Sequence, residues 1–139
     1  MQGFHHVAPI EVRFRDLDVF GHVNNAVIFT FVETARLKYL IDVDIRSPQA
    51  NFQGIAFILA HINFDFLKPI FYQQQVEIGT RVTEIGRSSV RLEHQIEADG
   101  EVVVTGHGVL VHYDYRADHS LPIPPDMRAK IEDFERKRF

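Results

Sequence analysis

Between positions 25 and 42 the chain carries almost nothing but apolar side chains. Ala26, Val27, Ile28, Phe29, Phe31, Val32, Ala35, Leu37, Tyr39, Leu40 and Ile41 fall on nearly every side of a 3.6-residue repeat. The pattern predicts a helix over 25–42 that other structure must surround. Asn24 or Asn25 is placed to cap it, because a short side-chain oxygen can take a free N–H of the first turn. Before it, 8–14 reads as a first strand and 15–24 as a polar loop; after it, 43–54 reads as loop, with Pro48 and Gly54. Period-two alternation then takes over. Over 55–67, Ile58, Ala60, Ile62, Phe64 and Phe66 alternate with His61, Asn63 and Asp65. Segments 74–85 and 88–98 alternate as cleanly, with Val90, Leu92, His94 and Ile96 on one side. Asp99–Gly100 joins 88–98 to a last long strand from Glu101, a strong hairpin signal because both turn positions need positive φ. That strand is apolar on both faces near residues 102–104 and 109–111, as a central strand would be. The proline-started tail predicts a short surface helix.

One helix cannot be covered by a flat sheet, so the sheet must curl around it, as its twist permits. The expected class is α+β, with a curled antiparallel sheet wrapped around one long central helix. A chain of 139 residues suits a single domain spanning 1–139. No repeat, low-complexity segment or linker interrupts it.

Composition narrows the function classes. With no cysteine there is no thiol nucleophile, disulfide framework or zinc ribbon, and a reducing cytoplasm is expected. A net charge of -4 offers no basic surface for nucleic acid. The N-terminus lacks a signal-peptide pattern and no apolar run is long enough for a membrane span. The eight histidines suggest no metal site: His107 and His112, five apart on a strand, point to opposite faces. His61 and His94 read as half-buried, satisfied histidines.

The junction before the helix stands out. "DLDVFGHVNNAVIFTFVETARLKYL" crowds two aspartates, a histidine and two asparagines against the start of an apolar helix. It resembles the opening motif of the hotdog-fold acyl-CoA thioesterases of the 4-hydroxybenzoyl-CoA thioesterase type, nearest the long-chain acyl-CoA branch. "INFDFLKPIFYQQQVEIGTRVTEIGRSSVRLEHQI" is similar to the downstream strands of that family, including the Lys-Pro step and the "GRSS" turn. The resemblance covers about residues 8–125. It implies hydrolysis of acyl-CoA thioesters without a cofactor, and pairing through a shared sheet into homodimers, often homotetramers. The apolar last strand points the same way.

Thioester hydrolysis needs a base or nucleophile and a way to stabilise an oxyanion. No G-x-S-x-G surrounds any serine, so a serine-hydrolase elbow is not expected. A carboxylate can act instead, and the N-terminus of a buried helix favours negative charge. By resemblance the catalytic aspartate is Asp18 and the oxyanion donor is the backbone N–H of Asn25. Asp16 is then a loop-fixing residue, and His22 and Asn24 are loop or substrate contacts. Glu33 is a second acid, expected to pair with Arg36. The family often places nucleotide contacts at the turn holding Arg87, Ser88 and Ser89, with Lys68 and Arg91 as lesser cations. The acyl chain is expected beside Phe29, Val32 or Phe57. A non-catalytic acyl-thioester binding protein and a hotdog dehydratase are the alternatives; the proline- and glycine-rich histidine loop of the latter is not found.

Overall fold

The computed structural model describes residues 1–45 and 55–139, so the predicted loop at 46–54 lies outside the described residues. The elements are β1 (His6–Ile10), a 3-10 turn (Phe14–Asp16), α1 (Asn25–Asp42), β2 (Ile55–Phe66), β3 (Val76–Ile85), β4 (Ser89–Ala98), β5 (Glu101–Asp114), β6 (His119–Ser120) and α2 (Pro125–Glu135). The strands form one open antiparallel sheet in the order β1-β3-β4-β5-β2, with β6 beside β5. The sheet curls over α1, as the pattern requires. The hairpin between β4 and β5 turns at Asp99 (φ 51°) and Gly100 (φ 80°), the positive angles that the Asp-Gly pair foretold.

The helix bounds agree with the sequence, and Asn24 rather than Asn25 is the cap: its side chain accepts from the N–H of Ala26 at 2.8 Å. Burial of α1 is one-sided. Ile28, Phe31, Val32, Ala35, Arg36, Tyr39 and Leu40 are buried, whereas Phe29, Leu37 and Ile41 are exposed by 44%, 49% and 63%. The helix lies closest to β1 and β3, and toward β2 the Phe29 ring stands edge-on to Phe64 at 4.8 Å. Two apolar clusters result. One, at the N-terminal end of α1, joins Val23, Ile28, Phe31 and Val32 to Ile70, Ile78, Ile96 and Val104. The other, at its C-terminal end, joins Tyr39 and Leu40 to Val82, Leu92, Leu110, Ile123 and Ile131.

Three expectations change. The first strand ends at Ile10, not at residue 14, because the Asp16 carboxylate takes the backbone N–H of Arg13 and turns the chain. In β2 the register shifts between Leu59 and His61, so Ile58 does not share a face with Ile62 as simple alternation implied. The bulge puts Leu59 opposite Leu110 and Ile62 opposite Gly108, on the helix side of the sheet. Finally, α2 is tied in more firmly than a surface helix. Ile131 is 1% exposed, and Glu135 accepts from the Tyr39 hydroxyl at 2.6 Å and from the Val82 N–H at 2.9 Å.

Candidate active site

Residues 17–23 form a miniature hairpin that delivers the chain to α1. Leu17 bridges Val23, and the Asp18 N–H donates to the His22 carbonyl at 2.9 Å. His22 bridges Phe71, and the Val23 N–H donates to the Ile70 carbonyl, fixing the hairpin to the segment after β2. Asp16 anchors its base. This carboxylate is 2% exposed and receives the Arg13 backbone N–H at 2.8 Å and the Arg13 guanidinium at 2.8 and 3.3 Å. Burial alone would raise its pKa; the bonds from Arg13 outweigh that and hold the carboxyl below its usual range. The Asp16 carbonyl also accepts from the Asn24 N–H, so the anchor reaches the helix cap.

Asp18 is differently placed. One carboxylate oxygen accepts from the Phe20 N–H at 2.9 Å; the other stands 3.8 Å from Nδ1 of His22. A cleft of about 250 Å³ opens beside it, lined by His22, Val23, Asn25, Ile28 and the run Phe66, Leu67, Lys68, Pro69 and Ile70. The structure therefore brings His22 and Asn25 to one wall and sets Asp18 directly behind His22 rather than on the wall. Asn24 uses its side chain and carbonyl on the N–H groups of Ala26 and Val27. The N–H of Asn25, the first helical residue, has no hydrogen-bond partner among the described residues, and the helix dipole favours negative charge at that end. Lys68 is the cation of this cleft and pairs with Glu101. A second cleft, about 480 Å³, is lined by residues 9–12 and 72–77 and contains no helix N-terminus.

The other candidates lie elsewhere. Arg87 and Ser88 lie in the turn between β3 and β4, where their carbonyls accept from the N–H groups of Ile123 and His112, and Ser89 opens β4. That turn belongs to the C-terminal end of α1, so one chain does not bring it to the cleft. Arg91 pairs with Glu84 at 3.2 Å. Glu33 is exposed and makes no ion pair with Arg36 among the described residues; Arg36 instead folds inward and is 8% exposed. Val32 is fully covered and so is closed to an acyl chain, while Phe29 remains accessible.

His94 is not the half-buried, satisfied histidine the alternation implied. It is 1% exposed, with Nδ1 3.1 Å from the Thr80 hydroxyl and no protein partner for Nε2 among the described residues. Burial, reinforced by the Arg36 charge, pushes its pKa down to about 3, so it is neutral at ordinary pH. Sequence alone did not mark the cleft wall at residues 66–70; the Lys-Pro step was its one visible trace.

Among the described residues, no three of His, Asp or Glu converge as a metal site, and no helix is long and apolar enough to cross a membrane. With this geometry in view, comparison with known proteins is specific. The family model of the thioesterase-like superfamily matches residues 12–131. The long-chain acyl-CoA thioesterase FadM of Escherichia coli (strain K12) is 30% identical over 125 residues, covering 88% of this chain and 94% of that protein. The chloroplastic acyl-acyl carrier protein thioesterase ATL3 of Arabidopsis thaliana is 26% identical over 139 residues, covering 99% of this chain and 72% of that one. The crystal structure of a thioesterase from Thermus thermophilus, complexed with coenzyme A and Zn, superposes with a TM-score of 0.86 at 37% identity, covering 99% of each chain. The curled sheet over a single long helix is thus the hotdog fold.

Proposed function

The chain belongs to the thioesterase-like superfamily, and with thioester hydrolysis as the premise we propose that it splits acyl-CoA thioesters into free acid and CoA at the mouth of α1. The observation that supports this reading is that Asn25, the first residue of α1, lines a cleft together with His22, whose Nδ1 stands 3.8 Å from the Asp18 carboxylate. The thioester carbonyl takes the Asn25 N–H. Asp18 either takes a proton from a water that adds to the carbonyl carbon, or attacks that carbon itself to give a mixed anhydride, which water then hydrolyses to the free acid and the Asp18 carboxylate, supplying the proton. The oxyanion forms at the helix start, the C–S bond breaks as it collapses, and the CoA thiolate takes up the proton. No cofactor enters this scheme.

A second reading follows from the position of His22. It lines the cleft and Asp18 does not, so His22 can be the base, with its Nδ1 held by the Val23 carbonyl at 3.3 Å and the Asp18 carboxylate, 3.8 Å away, stabilising its charge. The two separate by mutation. In a thiol-release assay over an acyl-CoA panel, Asp18→Asn should lower kcat at least about a hundredfold, the low end for lost acid–base assistance. If His22→Gln costs only a few-fold, Asp18 acts directly; if it costs as much as Asp18→Asn, the histidine reading holds. A panel bound tightly without thiol release would instead favour an acyl-thioester carrier.

We read residues 1–139 as one domain acting in the cytoplasm, where the CoA pool and the lack of cysteine both fit. The assembly in this reading is a homodimer or homotetramer. The edge of β2, unpaired among the described residues, and the exposed Phe29, Leu37, Leu59 and Phe66 leave an apolar flank that a second copy would cover. Pairing would also explain the Arg87 turn: residues at opposite ends of one chain can share a CoA molecule if two copies lie side by side.

A further inference from the structure

The scheme above leaves one product without a partner. As the oxyanion collapses, sulfur departs with the bonding pair as a thiolate. In water a thiol has a pKa of about 8.5, so its anion is tolerated there. In a cleft lined by Val23 and Ile28, 1% and 3% exposed, the same anion loses solvation and calls for a positive charge. The Asn25 N–H cannot meet that need, because the oxyanion takes it.

Lys68 is the residue of this lining that carries an ammonium. Its backbone is fixed on two sides. The N–H groups of Leu67 and Lys68 donate to one carbonyl, that of Val103 in β5, at 2.8 and 3.1 Å. Pro69 follows and has no N–H with which to continue the ladder. The Ile70 carbonyl then accepts from the Val23 N–H at 2.8 Å, two residues before Asn25. The segment that holds Lys68 is thus tied to the hairpin that seats the start of α1. The Lys68 ammonium pairs with Glu101, the first residue of β5. An ammonium has three N–H donors; Glu101 takes one, so two remain for a ligand.

A solvated surface pair and a phosphate contact are the ordinary uses of such a lysine. Its position disfavours the phosphate. If the Asn25 N–H takes the thioester carbonyl, the sulfur is one bond from the carbonyl carbon and lies in the same cleft of about 250 Å³ that Lys68 lines. The nearest CoA phosphate is at the far end of the pantetheine arm, about a dozen bonds of roughly 1.5 Å away.

We propose that Lys68 is a further catalytic residue, whose ammonium stands against the thioester sulfur and pairs with the thiolate as the C–S bond breaks. This rests on the thioesterase reading above and assigns its leaving-group side. The sulfur takes the C–S electron pair, the oxyanion pair re-forms the carbonyl, and the proton that water gave up passes to the thiolate. Lys68 keeps its own protons throughout.

The test measures thiol release from one acyl group carried on three thiols: CoA, pantetheine and thiophenol. Pantetheine keeps the arm and lacks the nucleotide phosphates. Thiophenol is a far stronger acid, and its anion needs less help. Lys68→Met should lower kcat at least about tenfold with acyl-CoA and with acyl-pantetheine alike, less than the 10²–10³ of a buried oxyanion donor because the Lys68 side chain is 54% exposed. Lys68→Gln should repeat the loss, and Lys68→Arg should restore most of the rate. With the thiophenol ester the loss should be at least about threefold smaller. An unchanged kcat overturns the proposal. So does a loss seen only with acyl-CoA, which marks a phosphate contact, or an equal loss with the thiophenol ester, which places the charge at the oxyanion. Lys68 is exposed, so the variants should melt within a few degrees of the wild type; a collapse of the fold that accounts for the lost rate also overturns it. A wild type that releases thiol from none of the three esters fells the thioesterase reading and this assignment together, an outcome distinct from the others.

Discussion

Replacing Asp16 by Asn should separate two aspartates that look alike in the sequence. The Asp16 carboxylate is 2% exposed and takes three hydrogen bonds from Arg13, two from the guanidinium and one from the backbone. An asparagine keeps one acceptor oxygen and turns an N–H₂ toward donors. The backbone bond can survive; the charge-assisted pair cannot. Breaking a buried ion pair can cost 3–5 kcal/mol, but the Arg13 side chain is 58% exposed and can return to water, which leaves about 2–3 kcal/mol. For a domain of this size that is a fall in melting temperature of about 10 °C. The pH dependence follows the same bond. The Asp16 pKa is depressed in the folded state, so its stabilisation is present above the unfolded carboxylate value of about 3.9 and is lost as pH falls through the folded value. Melting curves taken from pH 7 down to pH 3 should therefore draw closer between wild type and Asp16→Asn toward the acid end. The kcat of Asp16→Asn, measured well below its melting point, should stay far nearer wild type than that of Asp18→Asn. A variant that melts like the wild type at pH 7 yet loses turnover would show that Asp16 is the catalytic acid and that its ion pair stabilises nothing.

Other outcomes are equally concrete. Arg87→Ala should raise KM for acyl-CoA with less effect on kcat, since a phosphate contact is the same in ground and transition states; an unchanged KM removes Arg87 from the nucleotide site. Gly106→Ala should destabilise by about 1–3 kcal/mol by overpacking, because its Cβ would lie 2.4 Å from the Phe64 ring and 2.7 Å from the Asn63 carbonyl, a backbone atom that cannot move aside; wild-type urea unfolding would refute this. Light scattering at micromolar concentration should give at least twice the 16.1 kDa chain mass, and a monomer mass would end the shared-site account.

Elements with a local cause were legible in the sequence. The helix over 25–42 follows from its own apolar run and the Asn24 cap, and the turn at Asp99–Gly100 from two residues that accept positive φ. Asp16 as loop anchor came with the family resemblance; the donors that hold it, three residues away on Arg13, were seen only in the structure. What failed depends on distant partners. The shift between Leu59 and His61 has no signature in β2 itself; it exists only against β5. Glu33 and Arg36 have the spacing of a surface ion pair, and the inward turn of Arg36 reflects what packs around the helix rather than its own sequence. The placement of Arg87–Ser89 far from Asn25 needs the curl of the whole sheet.

The sheet order carries a further consequence, for the timing of folding. The hairpins of β3 with β4 and of β4 with β5 close between neighbours in the chain, whereas β2 must wait for β5: Ile55 meets Asp114 and Phe66 meets Val104. Such long-range pairing needs large loops to close and comes at the slow end of assembly. On a ribosome, β2 would leave the exit tunnel well before its partner is synthesised, with Phe57, Leu59, Phe64 and Phe66 uncovered in the interval. The same strand that walls the cleft is therefore one of the segments exposed to capture by other chains before folding is complete, as is β1 until β3 is made.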